Sequence, residues 1–173
     1  LCPQCANFLQ HSRLNEPEQK AMLSHIRGSG SALVLRVVGK QLLTQPFGWF
    51  TVWGGPGSAK TLFLHAVVAG YCRQGIQAVY YHATDLQEGL FADIRSEDKD
   101  NLSFYKRVPV LAVDELDKFH WKDWSRKQLQ GLLDWRYRQM NTHVTLFASN
   151  RSPDEIDLDT GPWLPEELAS RMN

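Results

Sequence analysis

Hydrophobic and polar positions along this chain follow two periods, and the switches between them mark its elements. Residues 48–53, GWFTVW, are largely aromatic or β-branched, which predicts a strand. AVYYHA at 78–83 and HVTLFA at 143–148 read the same way. VPVLAV at 108–113 is an unbroken apolar run, as expected of a strand covered on both faces. Helical spacing fills the intervals. SALVLRVVGKQLL (31–43) reads as a largely buried helix stopped by Pro46, and KTLFLHAVVAGYCRQ (60–74) as a helix stopped by Gly75. Leu86, Leu90, Phe91 and Ile94 share one helical face behind a capping box of Thr84 and Gln87. Leu129, Leu132, Leu133, Tyr137 and Met140 share another, with Ser125 and Gln128 as its expected cap. Ser152-Pro153 with Glu155 predicts one further helical turn, and PEELASRM a last helix. SEDKDN (96–101) reads as a solvated turn. Residues 1–15 show little periodicity; a short helix is expected from Asn15, with Pro17 in its first turn and Gly28 past its end.

Strands alternating with helices predict an α/β fold, a parallel sheet sandwiched by helices. The expected division is an N-terminal segment over 1–30, with a linker helix, and a core over 31–173. Composition narrows the picture only slightly. The 173 residues are 43% hydrophobic, enough for one globular core. Nineteen basic residues balance 19 acidic ones, which excludes a bulk polycation but not a local basic strip. No apolar run approaches the roughly 18 residues of a membrane span, so no membrane partner is expected. Three cysteines are too few for a disulfide framework, so the expected setting is cytoplasmic and reducing.

The candidate chemistry begins at Gly54-Gly55-Pro56-Gly57-Ser58-Ala59-Lys60-Thr61, between a predicted strand and a predicted helix. It matches the phosphate-loop pattern G-x-x-x-x-G-K-[ST] at every fixed position except Ala59. Such a loop needs small residues and a positive φ so that backbone N–H groups converge on phosphate oxygens, and Pro56-Gly57 supplies the turn. The following helix aims its N-terminal dipole at the anion. Lys60 is placed to reach the terminal phosphates of ATP, and the Thr61 hydroxyl to ligate Mg²⁺. Ala59 is expected to start the helix in a right-handed conformation, where a methyl is harmless.

Asp114-Glu115 ends a buried strand, on the side of a parallel sheet where ligands bind. Asp114 is the second expected Mg²⁺ ligand, and Glu115 the residue that orients and polarises the attacking water. Asn150, at the tip of the next strand, is a candidate hydrogen-bond partner for the γ-phosphate or that water. For Arg171, spacing serves a solvated surface arginine and a residue reaching a neighbouring subunit equally.

These elements, in this order, resemble the AAA+ ATPases, and among them the bacterial helicase loaders (DnaC-like) and IstB-type transposition ATPases. The resemblance rests on GWFTVWGGPGSAKT, YYHATDL, VLAVDELDKF, LQGLLDWRYRQM, TLFASNRSPDEI and LASRM, covering about Ala32 onward. It implies Walker A at Lys60 and Thr61, Walker B at Asp114 and Glu115, sensor 1 at Asn150 and an arginine finger at Arg171, hence a homo-oligomer. It also implies a Mg-dependent ATPase that loads a replicative helicase or acts on another DNA-bound protein. A transposition helper, or a nucleotide-dependent binding switch without hydrolysis, are the alternatives. Such a core normally continues into a fifth strand and a lid carrying sensor 2, so the chain reads as truncated before them.

Two further clusters invite a function. Cys2-Pro3-Gln4-Cys5 has the spacing of half a zinc ribbon, and tetrahedral zinc needs two more ligands. A zinc-bearing interaction module is the reading that follows from it alone. Trp121 and Trp124 with Lys118, Lys122, Arg126 and Lys127, and FYKR at 104–107, combine aromatic and basic residues as single-stranded DNA binding requires. A packed aromatic with a solvated basic face accounts for the same pattern.

Overall fold

The computed structural model describes residues 1–45, 47–95, 100–157 and 161–172. Helices α1 (Pro3–Gln10), α2 (Glu16–Gln19) and α3 (Ser31–Thr44) precede the first strand, with a 3₁₀ turn at Leu23–His25. Then follow β1 (Gly48–Trp53), α4 (Lys60–Arg73), β2 (Ala78–His82), α5 (Ala83–Arg95), α6 (Asn101–Arg107) and β3 (Val110–Asp114). A 3₁₀ turn at Leu116–Lys118 leads to α7 (Asp123–Arg138) and β4 (Val144–Ser149). The short strands β5 (Ile156–Asp157) and β6 (Gly161–Pro162) form an antiparallel ribbon before α8 (Glu166–Met172).

The four long strands form one parallel sheet in the order β1-β4-β3-β2. Register aligns their tips. Trp53 pairs with Ser149 and His82 with Asp114, so the carboxyl ends of all four strands reach one edge together. Because successive side chains point to opposite faces, each strand feeds two cores. On one face Tyr80, Ala112 and Leu146 pack with Phe63, Val67 and Tyr71 of α4 and with Leu42 of α3. On the other, Val79, Leu111, Val113 and Phe147 pack with Leu86 and Leu90 of α5 and Leu129, Leu132 and Leu133 of α7. Each such fully buried side chain contributes about 1.5–3 kcal/mol. Leu9, Leu14, Ala21, Leu23 and Ile26 belong to the first core, so the N-terminal segment packs directly against it.

Several expectations are corrected. Residues 3–10 form a helix: Pro3 opens it, and Cys2 caps it by accepting from the Cys5 N–H at 3.2 Å. Its apolar stripe is the buried Cys5 and Leu9 with the partly buried Phe8, too short to register in the sequence. From Asn15 the chain makes a single turn of helix, capped by Asn15 and Glu18, and then a 3₁₀ turn. Helix α3 buries Leu35, Gly39 and Leu42, while Leu33, Val34 and Val37 are more than half exposed. Its expected stop, Pro46, lies outside the described residues, as do 96–99 of the expected turn; Asn101 already starts α6 behind an Asp100 cap. Thr84 and Gln87 are inside α5 rather than at its cap, and α7 starts two residues before Ser125, capped at Lys122. Ser125 is at N3, where its hydroxyl accepts from the Lys122 N–H and donates to the His120 carbonyl. Tyr137, in the last turn of α7, and Met140, beyond its end at Arg138, are both exposed rather than part of the buried stripe. Ser152–Glu155 is a hydrogen-bonded turn that enters the β5–β6 ribbon instead of a helix. No helix among the described residues is long and apolar enough to cross a membrane.

Candidate phosphate-binding site

Between β1 and α4 the chain reverses tightly. Gly57 has φ +78°, and the Ser58 N–H meets the Gly55 carbonyl at 3.4 Å, closing a turn around Pro56-Gly57. Ala59 departs from expectation. It is left-handed, at φ 63° and ψ 19°, and the Phe63 N–H still reaches its carbonyl at 2.9 Å to begin the helix. The handedness is set by the loop, which must turn once more to aim the first helical N–H groups inward; an L-residue held there costs about 1–2 kcal/mol. Ala59→Gly removes that strain but adds the entropy of a glycine to the unfolded chain. The expected net gain is about 0.5–1 kcal/mol, read as a thermal midpoint about 1–4 °C higher. An unchanged or lower midpoint would show that the methyl's partial burial outweighs the strain.

Lys60 opens α4, where the first N–H groups lack intrahelical acceptors. Its Nζ donates to the Gly54 carbonyl at 2.6 Å, the Gly55 carbonyl at 3.0 Å and Ser58 Oγ at 3.1 Å. Thr61 Oγ1 donates to Asp114 Oδ2 at 2.7 Å, bringing the two expected metal ligands into contact across 53 residues of sequence. Asp114 is buried and fully engaged: Oδ2 also accepts from the Tyr80 hydroxyl at 3.0 Å, and Oδ1 from the Glu115 N–H at 2.8 Å. The Tyr80 ring stands edge-on between His65 and His82, at 4.5 and 5.3 Å. Burial, with the Asp114 charge beside it, pushes the Tyr80 hydroxyl far above its usual range, so it remains a donor. Burial likewise lowers His65, keeping the imidazole neutral.

Glu115 follows in a left-handed conformation, φ 53°, a second non-glycine outlier at the same strand-end edge. Its carboxylate meets Lys118 Nζ at 2.7 Å and His82 Nδ1 at 3.7 Å. That contact raises the proton affinity of the Lys118 ammonium. Asn150 donates its N–H to Asp117 Oδ1 at 2.8 Å and its amide to Oδ2 at 3.4 Å. Sequence reading missed Tyr80, His82, Asp117 and a partner role for Lys118; the one available signal was the density of charge in DELDK after an apolar strand.

Residues 56–62, Asp114, Glu115, Lys118 and Asn150 line one cavity of about 570 Å³. That lies within the range of about 300–1,000 Å³ typical of small-molecule sites. Lys60, Thr61, Asp114, Glu115 and Asn150 are thus brought together. Arg171 is in the last turn of α8, and its side chain lies outside the described residues. A hydroxyl and a carboxylate in contact beside a helix N-terminus are hard oxygen donors that suit Mg²⁺ with a bound phosphate.

The aromatic–basic clusters separate. Trp121 packs on Phe119 at 4.8 Å with its indole N–H buried. Tyr105 of FYKR is buried, while Trp121 is only partly so. Trp124 instead leans on Phe91 at 4.8 Å, with the Arg95 guanidinium 4.0 Å over the other ring. Both rings line an open groove of about 370 Å³ with Lys122 and His120. At the N-terminus the Cys2 and Cys5 sulfurs are 2.7 Å apart. Among the described residues no three or more His, Cys, Asp or Glu side chains converge on a metal position.

No protein-family model matches the chain. Solved structures do resemble it. AMPPCP-bound DnaA from Aquifex aeolicus is similar at a TM-score of 0.77 and 20% identity over 92% of this chain. DnaA bound to AMPPCP and single-stranded DNA superposes at 0.76 and 22% identity, also over 92%. The chain spans 48% of the length of each of these DnaA structures. The DnaC helicase loader matches at 0.70 and 22% identity, over 91% of this chain and 90% of that one. That likeness shows the fold: the chain shares with these structures a parallel sheet with helices on both faces, entered here by the tight loop between β1 and α4.

Proposed function

We propose that this protein is a cytoplasmic Mg-dependent ATPase that acts on single-stranded DNA and a DNA-bound partner, most simply as a loader of a replicative helicase. The observation that carries the reading is the convergence of Lys60, Thr61, Asp114, Glu115 and Asn150 on one cavity at the strand ends. On ATP binding, the Lys60 ammonium exchanges its own loop carbonyls for phosphate oxygens, and the loop N–H groups take up the remaining charge. Thr61 and Asp114 would hold Mg²⁺, which would supply charge compensation for the triphosphate. The Glu115 carboxylate orients the attacking water and accepts its proton, while Asn150, fixed by Asp117, hydrogen-bonds that water or the γ-phosphate. Arg171 is assigned to the site of a neighbouring copy, which makes a homo-oligomer the working form.

The DNA part rests on the Phe91–Trp124 groove, where two tilted rings 4.8 Å apart lie beside Lys122, with Glu88 also on the lining and the Arg95 guanidinium over Phe91. Bases stack on such rings at about 1–3 kcal/mol each, and phosphates pair with the cations. Fluorescence anisotropy with a labelled oligothymidine, in Mg-AMPPCP, tests this alongside steady-state ATP turnover. Trp124→Ala is expected to weaken oligonucleotide binding by about 5- to 100-fold and leave AMPPCP affinity unchanged. Unaltered oligonucleotide binding would remove the groove from the reading, and failure of the wild type to bind AMPPCP would remove the ATPase.

A further inference from the structure

Tyr80 occupies a position where β2 needs only an apolar side chain. Its ring packs in the first core with Ala112, Leu146 and Phe63, and the residue is 4% exposed. Phenylalanine would fill the same space, so the hydroxyl is an added polar group that must find a partner in the interior. It finds Asp114, whose Oδ2 accepts from it at 3.0 Å. Register explains the meeting. Tyr80 pairs with Ala112 and His82 with Asp114, which makes Tyr80 and Asp114 diagonal neighbours on one face of the sheet. The Thr61 hydroxyl reaches the same oxygen from α4 at 2.7 Å, and the Glu115 N–H holds Oδ1 at 2.8 Å.

We propose that Tyr80 is a positioning residue of the candidate Mg²⁺ site, fixing the Asp114 carboxylate in the orientation that a divalent cation beside Thr61 requires. The inference rests on the proposed Mg-dependent ATPase and adds a residue that acts on the metal through Asp114. Among the described residues that donate to Asp114, Tyr80 is the one whose place is set by the core. Its ring stands edge-on between His65 of α4 and His82, at 4.5 and 5.3 Å, and only two torsions separate its backbone from its hydroxyl. Its main-chain N–H donates to the Ser12 carbonyl at 2.9 Å, so the N-terminal segment holds this point of β2 from the outer edge. Thr61, by contrast, stands where the loop turns into helix, and its hydroxyl is itself assigned to the metal. The Glu115 N–H belongs to a left-handed residue past the end of β3. Without the phenol, the carboxylate is freer to rotate about its Cβ–Cγ bond. Loss of a partner that orients a metal ligand typically costs about 10–100-fold in metal affinity. The same hydrogen bond draws charge from Oδ2, which alone would weaken the ligand. Orientation is the larger effect here, because the acid is buried and stays ionised with its other two donors.

Calorimetric titration of the whole chain with AMPPCP, once in EDTA and once in Mg²⁺, tests it. Tyr80→Phe keeps the ring and its contacts with both histidines, and Asp114 keeps two donors, so the variant is expected to fold. Its affinity in EDTA should stay within about twofold of wild type, while its affinity in Mg²⁺ falls by about 10–100-fold. In steady-state hydrolysis the same variant should need about 10–100-fold more free Mg²⁺ for half-maximal turnover, and excess Mg²⁺ should restore kcat. Tyr71→Phe is the control. Its hydroxyl is buried in the same core and donates to the Leu42 carbonyl at 2.7 Å, and Tyr71 does not line the nucleotide cavity. That variant should match wild type in both titrations even where its thermal midpoint drops as far. An affinity of Tyr80→Phe in Mg²⁺ within about threefold of wild type, or tighter, overturns the inference, and so does an equal loss in Tyr71→Phe. Either result leaves the ATPase standing if Mg²⁺ tightens AMPPCP on the wild type and ATP turns over. A wild type that binds AMPPCP equally with and without Mg²⁺ would instead strike the metal-dependent reading, and this inference with it.

Discussion

Replacing Glu115 by glutamine is expected to lower ATP turnover by about 10²–10⁴-fold while nucleotide affinity stays within a few fold of wild type. The two readouts divide because of where the charges lie. Thr61, Asp114 and Lys60 make the contacts assigned to the triphosphate and its metal, and none of them depends on the Glu115 side chain. Asp114 uses the Glu115 main-chain N–H, which the substitution keeps. Glutamine fills the same volume and still accepts a hydrogen bond from Lys118, so the left-handed turn has no reason to relax. What is lost is the ability to take a proton from water. The exposed pair with Lys118 is worth at most about 1 kcal/mol, so thermal stability should barely change. Turnover assays and a titration with AMPPCP on the same preparation check both halves. Turnover within tenfold of wild type would move the proton acceptor elsewhere in the cavity, with His82 next to be tested.

The strands were legible because their buried faces demand it. An apolar run such as VLAV is covered on both sides by helices whose own apolar stripes are also visible in the sequence. The phosphate loop was legible because glycine and proline are the residues its backbone needs. The handedness of Ala59 was not, since a left-handed alanine is imposed by where the loop must deliver its N–H groups and has no composition of its own. Tyr80, His82 and Asp117 were missed for a related reason. Their roles come from parallel register, which sets His82 beside Asp114, and from a turn that reaches the neighbouring strand tip. No local pattern encodes either. Helix α7 shows the reverse error: Ser125 looks like an N-cap by type, yet the His120–Lys122 main chain captures its hydroxyl one turn inside the helix. Trp121 and Trp124 are alike in sequence, and only packing tells the ring that leans on the core through Phe119 from the one that leans on Phe91.

Arg136 carries the second large effect. An arginine on a helix is ordinarily solvated, but this one is wholly buried beneath the sheet. Its guanidinium donates to the carbonyls of Tyr105, Lys106, Val108 and Val144 and to Thr145 Oγ1, at 2.6–3.1 Å. It thereby closes the end of α6, the entry to β3 and the start of β4 around one planar fork. Burial lowers its pKa to about 9, which leaves it charged at neutral pH. Arg136→Met keeps most of the volume but orphans those acceptors, each costing about 1–3 kcal/mol if it stays dry. Some of that is recovered because a buried charge no longer has to be desolvated. The expected net loss is about 3–5 kcal/mol, comparable to breaking a buried ion pair. Against the roughly 5–15 kcal/mol of a typical domain, the variant would sit near the limit of folding. Arg136→Lys retains the charge but cannot span the fork, and an intermediate loss is expected. Urea denaturation of both variants measures it. If Arg136→Met loses less than about 1 kcal/mol, the carbonyls have found water or other donors, and the fork is not what holds β3 and its terminal Asp114 in place.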